Sequence, residues 1–238
     1  MNNDINKIVN SSMEEVLVHR RHIHMFPELS GKEYETQKYI KEVLDGYSIE
    51  YVEAAKTGVV AVIDSGKPGR CVAIRADIDA LPIDEMNDVE YKSQHTGVMH
   101  ACGHDAHTAM LIGVAKVLHQ IKQTFTGKVK LIFQPDEEQN GAAKTIVEEG
   151  FLKDVDVMLG LHVMPYLEVG EIELRDGVLN GQSTSVTIDV YGKKAHGAYP
   201  HQGVDAIVIA GYLIVQLQSI VTRMISPLEQ AVLSFGIV

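Results

Sequence analysis

The sequence predicts an α/β fold whose strands deliver polar residues to one rim, followed by a smaller β-α-β piece. Three observations predict it. Short apolar runs with strand character alternate with longer runs of helical period. Three of the strands end in acidic or histidine residues, namely Asp77/Asp79, Glu137/Glu138 and His162. After Gly181 the pattern becomes strict alternation, which marks a half-solvated strand of an antiparallel sheet.

Residues 4–25 place Ile5, Ile8, Val9, Met13, Val16, Leu17 and Ile23 at helical spacing, and Pro27 ends that helix. His19, His22 and His24 fall near its C-terminus, where the helix dipole favours a cation. Ser30 reads as the start of a second helix, with Glu33 completing a capping box and Gly46 as the stop. Val59–Ile63 and Cys71–Ala76 read as strands separated by the turn Ser65-Gly66-Lys67-Pro68-Gly69. Asp77 and Asp79 follow the second strand and share one side if the chain stays extended. Residues 106–121 carry a helical apolar stripe with Asp105 as N-cap, which puts Cys102 and His104 on the loop entering the helix. Lys128–Phe133 is a strand leading into Gln134-Pro135-Asp136-Glu137-Glu138. A short helix over about 141–150 and a strand from Val155 to Leu161, ending in His162, complete this part. Beyond it, Ser183–Tyr191 and Ala231–Ile237 read as strands around a helix at 204–222.

Bulk properties narrow the function. The 238 residues are 45% apolar, enough for a sizeable core. A net charge of −11 without a lysine/arginine block argues against nucleic acid or an anionic membrane as partner and is compatible with divalent cations. The N-terminus lacks a basic segment followed by an apolar one, and no apolar run is expected to approach a bilayer span. Cys71 and Cys102 are then free thiols of a soluble cytoplasmic protein.

The chemistry centres on Met99-His-Ala-Cys-Gly-His-Asp-Ala-His107. Thiolate and imidazole are good ligands for zinc and its first-row neighbours, and the glycine between Cys102 and His104 lets both reach one ion. In open α/β sheets, ligands bind beyond the strand carboxyl ends. Cys102, His104, one of Glu137/Glu138, and His162 can therefore meet there around one ion, or around two if a ligand bridges. One carboxylate of the Glu137–Glu138 pair then binds metal and the other serves as general base. Asp79 orients a ligand from behind. A thiol or redox enzyme is disfavoured, because no Cys-x-x-Cys pair is present.

Arg75-Ala-Asp-Ile-Asp-Ala-Leu-Pro, His100-Ala-Cys-Gly-His-Asp, Gln134-Pro-Asp-Glu-Glu, Gly160-Leu-His-Val and Gly192-Lys-Lys-Ala-His-Gly-Ala-Tyr-Pro-His-Gln-Gly-Val-Asp-Ala together resemble the M20 family of metallopeptidases. The nearest branch is the amidohydrolases of N-acyl amino acids, such as hippurate hydrolase, auxin-conjugate hydrolases and N-acetyldiaminopimelate deacetylase. The resemblance runs from about His24-Met-Phe-Pro-Glu-Leu-Ser onward.

The resemblance implies a zinc-peptidase-like three-layer α/β/α catalytic domain over 1–180 and an inserted, incomplete ferredoxin-like α+β lid domain over 181–238. It makes Cys102 a bridging ligand, His104, Glu138 and His162 terminal ligands, and Glu137 the general base. Asp79 would support the metal centre. His196 would reach from the lid of one copy into the site of its homodimer partner to steady the tetrahedral intermediate. The implied cofactor is a pair of divalent ions, zinc foremost, with manganese, cobalt or nickel compatible. His100, His107 and His201 read as structural. Members of the family are about half again as long. A last histidine ligand and several substrate contacts would lie in the part not represented here. The alternative is therefore an inactive or split member, a metal-binding and dimerising fragment.

Overall fold

The computed structural model describes residues 2–179 and 181–238. They divide into two compact units, the first ending at Glu171 and the second spanning Ile172–Val238. The first unit contains helices α1 (Asn2–Met25), α2 (Tyr34–Gly46), α3 (His104–Gln120) and α4 (Ala143–Glu148). Its strands are β1 (Tyr51–Ala54), β2 (Gly58–Asp64), β3 (Cys71–Asp77), β4 (Lys128–Gln134) and β5 (Val157–Gly160).

The five strands form one sheet in the order β1-β2-β4-β3-β5. β3 is parallel to both β4 and β5, whereas β2 runs antiparallel to β1 and β4. The turn after β2 therefore joins strands that are not neighbours, and β4 enters between them. At that crossing Gly69 and Gly127 are in backbone contact. A Cβ on Gly69 would lie 2.5 Å from the Gly127 nitrogen, and one on Gly127 would lie 2.1 Å from the Arg70 carbonyl.

Side chains alternate between two layers, as a pleated strand requires. Val59, Ala61 and Ile63 of β2, with Leu131 and Phe133 of β4, pack against Ile23 of α1, Ile40 and Leu44 of α2, and Leu111, Ile112 and Ala115 of α3. Val60 and Ile132 point the other way and meet Ala73 and Ile146 of α4. Helices cover both faces, so the unit is a three-layer α/β/α arrangement. The parallel run β4-β3-β5 brings three strand carboxyl ends to one rim.

Several local readings are revised by long-range partners. β1 has no apolar run of its own and exists through its pairing with β2. Ser30 does not cap α2, because its hydroxyl donates to Asp79 Oδ2 at 2.7 Å. Glu33 is the N-cap by position but makes no capping bond, and Glu28 accepts from the Thr36 N–H at 2.7 Å in its place. The N-cap of α3 is Gly103, at φ +84°. Asp105 instead accepts from Arg20 and His24 of α1. His24 lies between Asp105 (2.9 Å) and Glu85 (3.1 Å), so both its ring nitrogens face carboxylates.

The second unit holds α5 (Ala206–Ser219), capped by Asp205, whose carboxylate accepts from the Ile207 and Val208 N–H groups. No strand forms at 183–191 or 231–237 among the described residues. A strand is stable only when paired, and alternation by itself supplies no partner. With the π-helical turn Ile220–Met224, α5 makes a 19-residue run of mean hydropathy 1.5, long and apolar enough by length and composition to cross a bilayer. This corrects the expectation that no run reaches that length. Gln216, Gln218 and Arg223 interrupt the apolar letters without lowering the average far enough.

Candidate metal centre

The rim at the ends of β3, β4 and β5 gathers the residues singled out by type. β3 ends in Asp77 and leads to Asp79, both 1% exposed. β4 leads to Glu137 and Glu138, and β5 leads to His162. The tight entry to α3 adds Cys102 and His104. Ligand atoms of Cys102, His104 and His162 lie within 4.8 Å of one another, as do those of His104, Glu137 and Glu138.

Hydrogen bonds set the direction of each ligand atom. His104 Nδ1 faces the Asp79 carbonyl at 3.0 Å and Asp79 Oδ1 at 3.1 Å. Both are acceptors, so Nδ1 carries a proton and Nε2 is turned toward the rim. There it lies 3.8 Å from Glu138 Oε1 and 3.6 Å from Asp77 Oδ2. Asp79 Oδ2 accepts from the Ser30 hydroxyl and, at 3.0 Å, from the Glu138 N–H. One carboxylate thus orients His104 and the backbone of Glu138 together. His162 donates from Nδ1 to the Val163 carbonyl at 2.7 Å and presents Nε2 to Cys102 Sγ at 3.4 Å.

The turn that carries the glutamates is held under backbone strain. Asp136 has φ +51°, a left-handed conformation that non-glycine residues rarely adopt. Its N–H donates to Glu33 Oε1 at 2.8 Å, and its carboxylate accepts from the Asn140 side chain.

Electrostatics separate the acids into two kinds. Burial works to raise Asp79, but the bonds from His104, the Glu138 N–H and Ser30 hold it below the ordinary carboxylate range. Burial likewise opposes the drop at Asp77, yet the His107 hydrogen bond and the Arg75 charge hold it down at about 2. Glu137 goes the other way, raised by burial and then by the negative charge of Glu138. Burial, with Glu138 alongside, pushes the Cys102 thiol up to about 12. Burial works to lower His104, but Asp79 and Asp77 together raise it.

The donor set fits a divalent cation. His104 Nε2 and Glu138 Oε1 are buried and have no hydrogen-bond partner, although they belong to different elements and converge. Leaving two such atoms unsatisfied is unfavourable, by about 1–3 kcal/mol each. A shared cation satisfies both, and sulfur, imidazole and carboxylate are its ordinary ligands. Asp79 accepts at both oxygens from His104, Ser30 and the Glu138 backbone, so both its carboxylate oxygens are already occupied by protein donors.

His107, read from sequence as structural, lies against the centre. Its Nδ1 is 2.6 Å from Asp77 Oδ1, and its ring centroid is 4.7 Å from that of His162. The spacing His104-x-x-His107 puts both rings on one helix face, a signal present in the sequence. His196 lies in the second unit, where its Nδ1 accepts from the Ala198 N–H at 3.1 Å. His201 falls in a 3₁₀ turn, Pro200–Gln202. His100 is 3% exposed, and burial lowers it to about 4.

Residues 73–227 match the family described as Peptidase family M20/M25/M40. An N-acetyl-L-cysteine deacetylase of Bacillus subtilis is 44% identical over 95% of this chain and 55% of its own length. An N-acyl-L-amino acid amidohydrolase of Geobacillus stearothermophilus is 42% identical over 97% of this chain and 63% of its own. Among solved structures, a Bacillus subtilis protein described as a dinuclear metal binding peptidase of the M20 family is 42% identical. It superposes with a TM-score of 0.68 over 71% of this chain and 48% of that one. The chain thus spans 55% and 63% of the two curated relatives.

Proposed function

Because the chain belongs to peptidase family M20/M25/M40, we propose that it is a metal-dependent amidohydrolase of N-acyl amino acids. The observation that carries this reading is the convergence of two partnerless buried ligand atoms, His104 Nε2 and Glu138 Oε1, beside Cys102 and His162. Cys102, His104, Glu138 and His162 would hold two divalent ions. Zinc fits a thiolate-containing set best, and manganese, cobalt or nickel are compatible. When bound, such ions polarise the scissile carbonyl and make water a better nucleophile near neutral pH.

The remaining chemistry belongs to the chain. Glu137 is raised by burial and then by the negative charge of Glu138, which makes it a stronger base than an ordinary surface glutamate. It takes a proton from the attacking water and returns it to the leaving nitrogen. The C–O bond forms, the C–N bond breaks, and the products are a carboxylic acid and a free amino acid. Asp79 keeps His104 and Glu138 aimed throughout. The relatives' names, a deacetylase and an amidohydrolase, support an N-acyl amino acid as substrate. We assign the second unit to a partial lid that makes a homodimer, with His196 as the donor to the tetrahedral oxyanion. Both cysteines are free thiols, which suits a reducing cytoplasm.

The test is hydrolysis of N-acetyl amino acids and hippurate by metal-loaded protein, with Glu137→Gln as control. The variant is expected to keep both ions and to lose about 10²–10⁴-fold in turnover. Failure to take up metal, or full activity in Glu137→Gln, rejects the reading. A second reading is an inactive, metal-binding and dimerising member of the family. Metal uptake with no turnover under any of the four metals selects it.

A further inference from the structure

We propose that Asp77, His107 and the backbone of Val163 form a positioning chain that aims His162 at Cys102 and sets the tautomers of both histidines. The inference rests on the reading of His162 as a metal ligand and adds what holds that ligand in place.

His162 follows an edge strand. Among the described residues β5 pairs only with β3, and residues 161–164 lie in neither helix nor strand. Val163 and Met164 are 39% and 37% exposed, so little packing fixes this segment. His107 supplies a fixed point. It projects from α3, is 2% exposed, and its Nε2 lies 2.9 Å from the Val163 nitrogen. A backbone N–H can only donate, so His107 Nε2 carries a lone pair and the ring proton resides on Nδ1. That Nδ1–H donates to Asp77 Oδ1 at 2.6 Å.

Asp77 is anchored in turn. Its Oδ2 accepts from Arg75 at 2.6 Å, and its carbonyl accepts from the Thr108 hydroxyl at 2.9 Å. The other side of Val163 completes the chain. Its carbonyl accepts from His162 Nδ1–H, which leaves the lone pair of His162 on Nε2, the atom facing Cys102 Sγ. One residue thus fixes both rings, reading His107 with its N–H and His162 with its C=O.

This also assigns a third cluster at the rim. Ligand atoms of Asp77, His104 and His107 lie within 4.8 Å of one another and have the composition of a metal site. Both nitrogens of His107 are already engaged by Asp77 and Val163, so His107 is a positioning residue and not a ligand. Gly103 adds a steric limit, since a Cβ there would fall 2.3 Å from Val163 Cγ2. Val163 thereby lies against the N-terminal turn of α3.

Two measurements test the chain. Long-range ¹⁵N–¹H spectra of the metal-free protein are expected to show His107 and His162 both protonated at Nδ1 and bare at Nε2. A proton on Nε2 of His107 overturns the proposal without reference to metal. The second measurement is a Co(II) titration followed by thiolate charge-transfer absorption and ion stoichiometry. His107→Leu is expected to weaken one of two ions by about 10–100-fold and leave the other unchanged. His107→Gln, whose Oε1 can accept from the Val163 N–H, is expected to recover most of that loss. A purely structural role would affect both ions together and would not distinguish Gln from Leu. Wild-type affinities in His107→Leu overturn the positioning role while the metal reading stands. If the unmutated protein binds no ion, the metal reading falls, and the tautomers alone decide the hydrogen-bonded chain. Should His107→Leu fail to fold, His107→Gln and the spectra of the unmutated protein still decide it.

Discussion

Replacing Glu33 with alanine tests what keeps Glu137 and Glu138 on the rim. The Glu33 carboxylate is fully buried and accepts three hydrogen bonds. Oε1 takes the Gly31 and Asp136 N–H groups at 2.8 Å each, and Oε2 takes the Thr57 hydroxyl at 2.6 Å. Thr57 is 1% exposed, so alanine leaves its hydroxyl with no water to turn to. A buried donor without a partner costs about 1–3 kcal/mol. Gly31 and Asp136 are partly exposed and recover some of their loss from solvent. The sum for Glu33→Ala is therefore about 3–5 kcal/mol, a large share of a domain's typical 5–15 kcal/mol. Glu33→Gln keeps the oxygen that serves the two backbone groups and presents an amide to Thr57, so its expected loss is about 1 kcal/mol. Urea unfolding followed by circular dichroism measures both variants. The Asp136 bond also restrains a residue at φ +51°, so the alanine variant is expected to bind metal more weakly even where it remains folded. An alanine variant within about 1 kcal/mol of the parent, or a glutamine variant as unstable as the alanine one, refutes the reasoning.

Further outcomes follow from the same geometry. Metal uptake must expel the proton of a Cys102 thiol held at about 12, so apparent affinity is expected to rise about tenfold per pH unit for each proton released. Calorimetry in buffers of different ionisation enthalpy counts those protons, and Cys102→Ala should release one fewer. The hydrogen bond to Asp105, and after it the one to Glu85, raises His24 above its ordinary 6.5. Its stabilisation is therefore complete below pH 6.5 and is lost as the pH climbs through the raised value. His24→Gln is expected to lose about 3 kcal/mol near pH 6 and clearly less near pH 9; a pH-independent penalty contradicts this. Gly103→Ala forces a side chain into φ +84° and toward Val163, with an expected loss of about 1–2 kcal/mol in thermal or urea unfolding. Unchanged stability would show that the turn relaxes freely.

Much of the first unit is legible from local pattern. Apolar period marks β2, β3, β4 and α3, because strand and helix geometry repeat within a few residues. The polar residues after each strand are equally visible, since a strand's end and a turn's composition are local properties. The cap assignments at Ser30 and Asp105 fail for the opposite reason. A short polar side chain next to a helix can serve that helix or a distant group, and here Asp79 and α1 take them. The strands expected at 183–191 and 231–237 fail similarly, because alternation describes a face and pairing requires a second chain segment.

By itself the sequence determined the residue types at the rim, and so which ions and which acid–base chemistry they suit. Those follow from the side chains and their places after each strand. Only the tertiary structure decided the strand order with β4 inside, the roles of Glu33 and Asp77, and which nitrogen of His104, His107 and His162 is left bare. Most of those features depend on partners 24–103 positions away, whereas His162 Nδ1 bonds the carbonyl of the adjacent Val163. Whether a proton sits on one ring nitrogen or the other is settled by the group across from it, and the chain places that group only by folding.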